Sequence, residues 1–207
     1  MEDGAFGNHE KRRHAATLRE EQFMLFRTMQ PRDYDAVYAL WMSCQNMGFN
    51  NLDDSRAGIE RFLKRNPSTS FVALEGTSKN LTLPQTLLRK TLLNRDFLKR
   101  KHRGSRVFRS CLEEGLLAGV ILSGHDGRRG YIYHMSVGEA YRRRGVGTAL
   151  VRRSLEALRA EGINKVALLV FRYNEAGNAF WEKQGFTERT DVAYRNRELT
   201  ELIRIDT

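Results

Sequence analysis

Apolar positions recur along this chain at two spacings, one helical and one strand-like. Met24 to Met29 reads as a first strand, and Pro31-Arg-Asp33 opens a helix whose Val37, Leu40, Trp41 and Cys44 recur at helical spacing. Asp53-Asp54-Ser55 opens a second helix with Ile59, Phe62 and Leu63 inward, and Asn66-Pro67 ends it ahead of a strand at Ser70 to Glu75. Leu116 to Ser123 and Tyr131 to Val137 are strands joined by His125-Asp-Gly-Arg-Arg-Gly130, whose Asp-Gly step predicts an antiparallel hairpin. A helix is expected from about Gly147 to Glu161, with Leu150, Val151, Leu155 and Leu158 inward. The nearly all-apolar Val166 to Phe171 then reads as a strand in the middle of a sheet. Asn174 is a predicted N-cap for a helix carrying Ala176, Ala179 and Phe180, with Gly185 as its stop. Phe186 to Ile205 reads as one or two further strands. Strands and helices interleaved in this way predict one α/β (α+β) domain with a mixed sheet.

One stretch breaks the pattern. Roughly forty residues separate the strand ending at Glu75 from the one starting at Leu116, where a hairpin takes about two to five. Glu75-Gly76 precedes the stretch and Glu114-Gly115 closes it, so removing residues 77–115 would leave an ordinary hairpin. We read an insertion there, with helical leucine spacing at 87, 88, 92 and 93 and a basic polar face. The same repeated edges are what an in-frame retained intron would produce, a question for the underlying DNA.

Charge sharpens this picture. The 207 residues carry a formal +10. Thr77 to Ser110 holds ten basic residues and one acidic, a net of +9, which leaves the remainder nearly neutral. With 41% hydrophobic and 29% charged residues the composition is that of a globular protein. No apolar run approaches the roughly 18 residues of a membrane span, and residues 1–22 form a polar tail without the apolar centre of a secretory signal. A cytoplasmic location is the expectation. Two cysteines, Cys44 and Cys111, are too few for a disulfide framework or a four-ligand zinc site, and no metal is expected.

The most informative string is Val137-Gly-Glu-Ala-Tyr-Arg142-Arg143-Arg144-Gly145-Val146-Gly147-Thr148, a strand running through a glycine loop into a helix. Such a loop suits phosphate: the helix N-terminus offers unpaired N–H groups, the glycines permit close backbone approach, and the arginines add charge. A Gly-x-Gly here also serves as a tight corner. No Gly-Lys-Ser/Thr follows, and the third glycine and acidic residue of a dinucleotide fold are lacking.

The Arg142-x-x-Gly145-x-Gly147 spacing, with Asn174-Glu-Ala-Gly-Asn-Ala-Phe-Trp181-Glu-Lys-Gln-Gly-Phe186 downstream, resembles the GNAT acetyltransferase superfamily. The likeness runs from about residue 23 to 207 apart from the insertion. Gly124 to His134 is similar to a bacterial-type branch whose acceptors are mostly unassigned. The resemblance implies a mostly antiparallel sheet with a splayed parallel strand pair, and an N-acetyltransferase that passes acetyl from acetyl-CoA to a primary amine in a ternary complex. The acceptor is a small molecule, peptide or protein, and the assembly a monomer or homodimer. It places the pantetheine arm on Met135, Ser136 and Val137, the pyrophosphate on Arg142 through Thr148, and Asn174 and Trp181 beside the cofactor.

Transfer needs a proton taken from the ammonium, a stabilised oxyanion and a protonated leaving thiolate. The family often uses a tyrosine for the last step. Trp181 stands at that position, and an indole N–H is too weak an acid to give up its proton. Tyr131, Tyr133 and Tyr173 are the nearby alternatives, or water. Strand alternation assigns Tyr131 and Tyr133 to one face and His134 to the other. His134 has the right pKa range for a base, whereas His125 and Asp126 read as turn residues. Trp41, Asn50, Asn51, Asp53 and Asp54 fall on the acceptor side by the resemblance, Asp53 and Asp54 serving equally as helix caps. The alternative is a non-catalytic scaffold of this kind that binds nucleic acid or an anionic surface through its basic insertion.

Overall fold

The structure is a computed structural model, and it describes residues 22–77 and 115–206. The predicted polar tail, except for its last residue, and nearly all of the basic insertion lie outside these residues.

The described elements run β1 (Gln22–Thr28), α1 (Tyr34–Met42), β2 (Gly48–Asn50), α2 (Arg56–Arg65), β3 (Phe71–Thr77), β4 (Leu116–His125), β5 (Gly130–Val137), α3 (Val146–Ala160), β6 (Val166–Leu168), α4 (Glu175–Lys183) and β7 (Arg204–Asp206). Five strands form one sheet in the order β1-β3-β4-β5-β6. Every neighbouring pair is antiparallel except β5 and β6, which are parallel. Period-two alternation splits the sheet's side chains between two cores. Val72, Val120 and Leu122 join Val37, Trp41, Ile59 and Leu63 under α1 and α2. Ala73, Ile121 and Ile132 join Val146, Leu150 and Val151 of α3. Ser55 caps α2, its Oγ accepting from the Gly58 N–H, and Asn66 closes the helix, in agreement with the start and stop signals expected there.

Three expectations are corrected. The apolar run from Val166 gives only three strand residues, and β6 stands at an edge of the described sheet, not in its middle. Its remaining apolar side chains leave the ladder to form a cleft wall, and Leu169 is 55% exposed. Residues 186–203 form no strand, since polar and charged residues there follow no alternation; only Arg204–Asp206 does, pairing with β2 in a separate ladder. The third concerns β5. Leu122 pairs with His134 and Ser123 with Ile132, so Tyr133 is an unpaired bulge residue. The bulge reverses the alternation. His134 therefore lies on the same side as Tyr131 and Tyr133, toward α1 and α2, and not on the opposite face.

Candidate functional site

β5 and β6 pair only at Gly130–Val166, Tyr131–Ala167 and Ile132–Leu168. Beyond that point the strands part. From Tyr133 onward the free edge of β5 has no strand partner among the described residues, which suits an extended arm lying along it. The opening is a cavity of about 690 Å³. Tyr131 to Met135 form one wall, Leu168 to Arg172 the other, and Asn174, Trp181, Met47 and Tyr194 complete it.

The predicted anion loop follows β5 directly. Gly145 (φ 79°) and Arg143 (φ 61°) are both left-handed, a conformation that favours glycine and is unusual for arginine. α3 then begins, its first bond running from the Ala149 N–H to the Gly145 carbonyl, so the N–H groups of Val146, Gly147 and Thr148 precede the helical ladder. A Cβ at Gly147 would come 3.3 Å from the Phe180 ring of α4. The loop thus has open N–H donors, helix-dipole charge and no side chain at the closest approach, and these features fit a pyrophosphate.

The arginines divide their roles. Arg142 Nε donates to the Val137 carbonyl at 3.3 Å. Arg144 lies 3.6 Å from Glu75, whose carboxylate also accepts from the Tyr141 hydroxyl at 2.7 Å. Arg144 is thereby a brace between β3 and the loop.

Asn174 caps α4, its Oδ1 accepting from the Gly177 N–H at 2.9 Å. Its carbonyl is used in ordering the cleft. Asn178, which the sequence reading did not single out, donates through Nδ2 to the carbonyls of Phe171 and Asn174, both at 2.9 Å, and fixes the turn between β6 and α4. Trp181 makes T-shaped ring contacts with Phe180 and Phe186 and lines the cleft.

The acceptor-side candidates separate. Trp41 is fully buried, its ring tilted against those of Phe49 and His134, and it is absent from the cleft lining; it packs as a core residue where a substrate contact was expected. Asp53 is exposed and accepts from Asn50 Nδ2 at 3.0 Å. Asp54 is buried and is not the cap of α2, a role that Ser55 takes: Oδ2 accepts from the Asn50 N–H at 2.8 Å, and Oδ1 lies 2.7 Å from His134 Nε2. Asn51 is tied to the chain near the C-terminus, its Oδ1 accepting from the Ile203 N–H. Ser136 points into the α1 side, its hydroxyl 3.3 Å from the Met47 sulfur, so only its backbone is available to the cleft. Tyr173 is 66% exposed, stacks on Phe171 and lies outside the cleft lining. His125 and Asp126 are turn residues as expected, Asp126 accepting from the N–H groups of Arg128 and Arg129.

His134 stands in the cleft wall with Nε2 held by Asp54, leaving Nδ1 as the ring nitrogen without a described partner. A carboxylate–imidazole pair of this kind can fix a tautomer and take a proton. The phenols are unsuited to that task. Burial, with smaller contributions from Tyr194 and Tyr133, pushes Tyr131 up to about 12, and burial also raises Tyr133. Both are hydrogen-bond donors at neutral pH. The shift fixes a stability trend as well: the folded state favours the neutral phenol, so its contribution is complete below about pH 10 and is lost as pH rises toward 12. Tyr131→Phe should therefore flatten the fall in melting temperature between pH 10 and 12, measured by differential scanning calorimetry.

Comparison with known proteins completes this picture. The sequence profile described as "Acetyltransferase (GNAT) family" matches residues 77–186. The chain belongs to the GNAT acetyltransferase family. An acetyltransferase of Pectobacterium atrosepticum is 25% identical over 178 residues, covering 86% of this chain and 97% of that protein. An acetyltransferase of Sodalis glossinidius is 34% identical over 87 residues, 42% of this chain and 61% of that protein. Among solved structures, Ard1 of Thermoplasma volcanium superposes with a TM-score of 0.54 at 20% identity, covering 79% of this chain and 82% of that one. The ribosomal-protein-S18-alanine N-acetyltransferase of Escherichia coli gives a TM-score of 0.52 at 16% identity, with coverages of 81% and 80%. These last likenesses establish the GNAT fold, with its mostly antiparallel sheet and one parallel pair. No described helix is long and apolar enough to cross a membrane, and no three His, Cys, Asp or Glu side chains gather as a metal site among the described residues.

Proposed function

We propose that this GNAT protein is an N-acetyltransferase that takes acetyl from acetyl-CoA and passes it to a primary amine by direct attack in a ternary complex. The observation that carries the reading is the parting of β5 from β6 at Ile132–Leu168, with the first turn of α3 coming against Met135 of the cleft wall at Gly147 and with His134, held by Asp54, in that wall. Acetyl-CoA supplies an activated thioester. The backbone of Gly145 to Thr148 holds its pyrophosphate, with Arg142 and Arg143 adding charge, and the free edge of Met135 to Val137 pairs with the pantetheine arm. Asn174 keeps the mouth of α4 in place, and Trp181 walls off water.

His134 Nδ1 accepts the proton of the incoming ammonium, directly or through one water, while Asp54 orients the ring through Nε2 and stabilises the charged imidazolium. The neutral hydroxyls of Tyr131 and Tyr133 donate hydrogen bonds where negative charge develops on oxygen or sulfur. Trp181 does not transfer a proton.

The test is release of CoA thiol from acetyl-CoA across a panel of amines, with acetylated product identified by mass. Failure of acetyl-CoA to raise the melting temperature would sink the reading. His134→Gln should lower kcat about a hundredfold, as removal of a general base does. Asp54→Asn should lower kcat less than His134→Gln and leave the KM for acetyl-CoA unchanged, because it removes only the group that orients the ring. A merely structural Asp54 would change the melting temperature and leave kcat in place.

A further inference from the structure

A second cavity, of about 670 Å³, opens next to the cleft and shares a wall with it. Tyr131 and Tyr133 line both. Their rings contact each other at 4.9 Å between centroids, and Tyr133 meets Phe62 of α2 edge-on at 5.2 Å, which makes an aromatic floor. Around that floor stand three cations from three separate elements: Arg65 at the end of α2, Arg129 in the β4–β5 turn, and Lys165 just before β6. None of the three is in an ion pair with a described residue.

The negative groups nearby are already engaged. Asp126 lies in the same wall, but its Oδ1 accepts from the N–H groups of Arg128 and Arg129 at 2.7 and 2.6 Å. Asp191, which feels the charge of Lys165, is bound by Arg189 through two 2.6 Å contacts. His125, also in the wall, uses Nδ1 to accept from the Gly127 N–H. The cavity wall therefore carries three cations against the single carboxylate of Asp126, a net positive rim above an aromatic base, within the size range of small-molecule sites.

We propose that this cavity receives the anionic end of a small acceptor, so that the substrate class is a primary amine bearing a carboxylate or phosphate. The anion pairs with Arg65, Arg129 and Lys165, the apolar part rests on Phe62 and the two tyrosines, and the amine reaches the cleft across Tyr131 and Tyr133. Guanidinium suits this role because its fork matches carboxylate and phosphate oxygens. The assignment of a substrate rests on the transferase reading above, whereas the anion site itself does not.

Matched probes test it: phenylalanine against phenethylamine, and phosphoethanolamine against ethanolamine. Binding to the full chain is measured by calorimetry with CoA present, alongside CoA release from acetyl-CoA. The anionic member of a pair should bind about tenfold or more tightly, the order expected of charge-assisted contacts. Arg65→Gln, Arg129→Gln and Lys165→Gln should each erode that preference several-fold, with unaltered circular dichroism reporting an intact fold. Equal or weaker binding of both anionic probes, or a preference indifferent to all three substitutions, overturns the proposal. So does preference shown only for an acidic peptide and for neither small anion. A preference that survives with no acetyl transfer to any amine would defeat the transferase reading and leave the anion site standing.

Discussion

Gly147→Asp is expected to lower kcat/KM for acetyl-CoA about a hundredfold or more while leaving the fold intact. Two effects add. A Cβ at this position comes 3.3 Å from the Phe180 ring, closer than most real contacts, so that ring must give way slightly beside the first turn of α3. The carboxylate then places negative charge at a helix N-terminus that would otherwise face the pyrophosphate, and it competes for the N–H groups of the first turn. Hydrogen bonds to charged groups contribute about 1.5–3 kcal/mol each. Loss of two gives at least about a hundredfold, since each factor of ten is about 1.4 kcal/mol. Gly147→Ala carries only the contact, and should cost less than tenfold. Steady-state kinetics with calorimetric binding of CoA separates the two; an aspartate variant that binds CoA normally would remove this loop from the phosphate site.

Trp41→Ala should destabilise the folded chain by about 3–5 kcal/mol, the range for removing a large aromatic from a core. That is a large share of a typical domain's stability of about 5–15 kcal/mol. Trp41 is fully buried, with Phe49 and His134 at ring distances of 5.7 and 5.0 Å. Its Nε1 is buried without a described acceptor. Trp41→Phe consequently loses packing but also removes an unpaired buried donor, and should cost only about 1–2 kcal/mol. Urea unfolding of both variants measures this. A Trp41 that contacted the acceptor would instead give near-normal stability and a raised KM for the amine.

The contrast between Trp41 and Asp54 shows what sequence could reveal. Helical spacing placed Trp41 correctly on α1 beside Val37, but the resemblance that assigned it to the acceptor could not see that the same spacing turns it inward. Asp54 was legible as a helix-start residue. Its partner, His134, is 80 residues away and faces it only because of a bulge, which no local pattern announces. Elements with strong periodicity or clear end signals were readable: β3 to β5, the capped α2, and α4 between Asn174 and Gly185. β6 was misjudged because an apolar run is equally what a cleft wall needs and what a central strand needs. The glycine loop was legible as a strand-to-helix turn because its pattern is local to a few consecutive residues. The basic rim of the second cavity was not, because Arg65, Arg129 and Lys165 come from three elements and each alone is an ordinary surface cation.

The bulge at Tyr133 also changes how much chemistry one strand can carry. A regular strand gives each face every second side chain, about 6.6 Å apart. Here three of four consecutive residues, Tyr131, Tyr133 and His134, project to one side, and a single strand supplies hydroxyls to two cavities and an imidazole to one of them. That crowding is a matter of phase. Any one-residue insertion or deletion between Gly130 and His134 would reseat the strand and disperse the group, even if every residue of the site were retained.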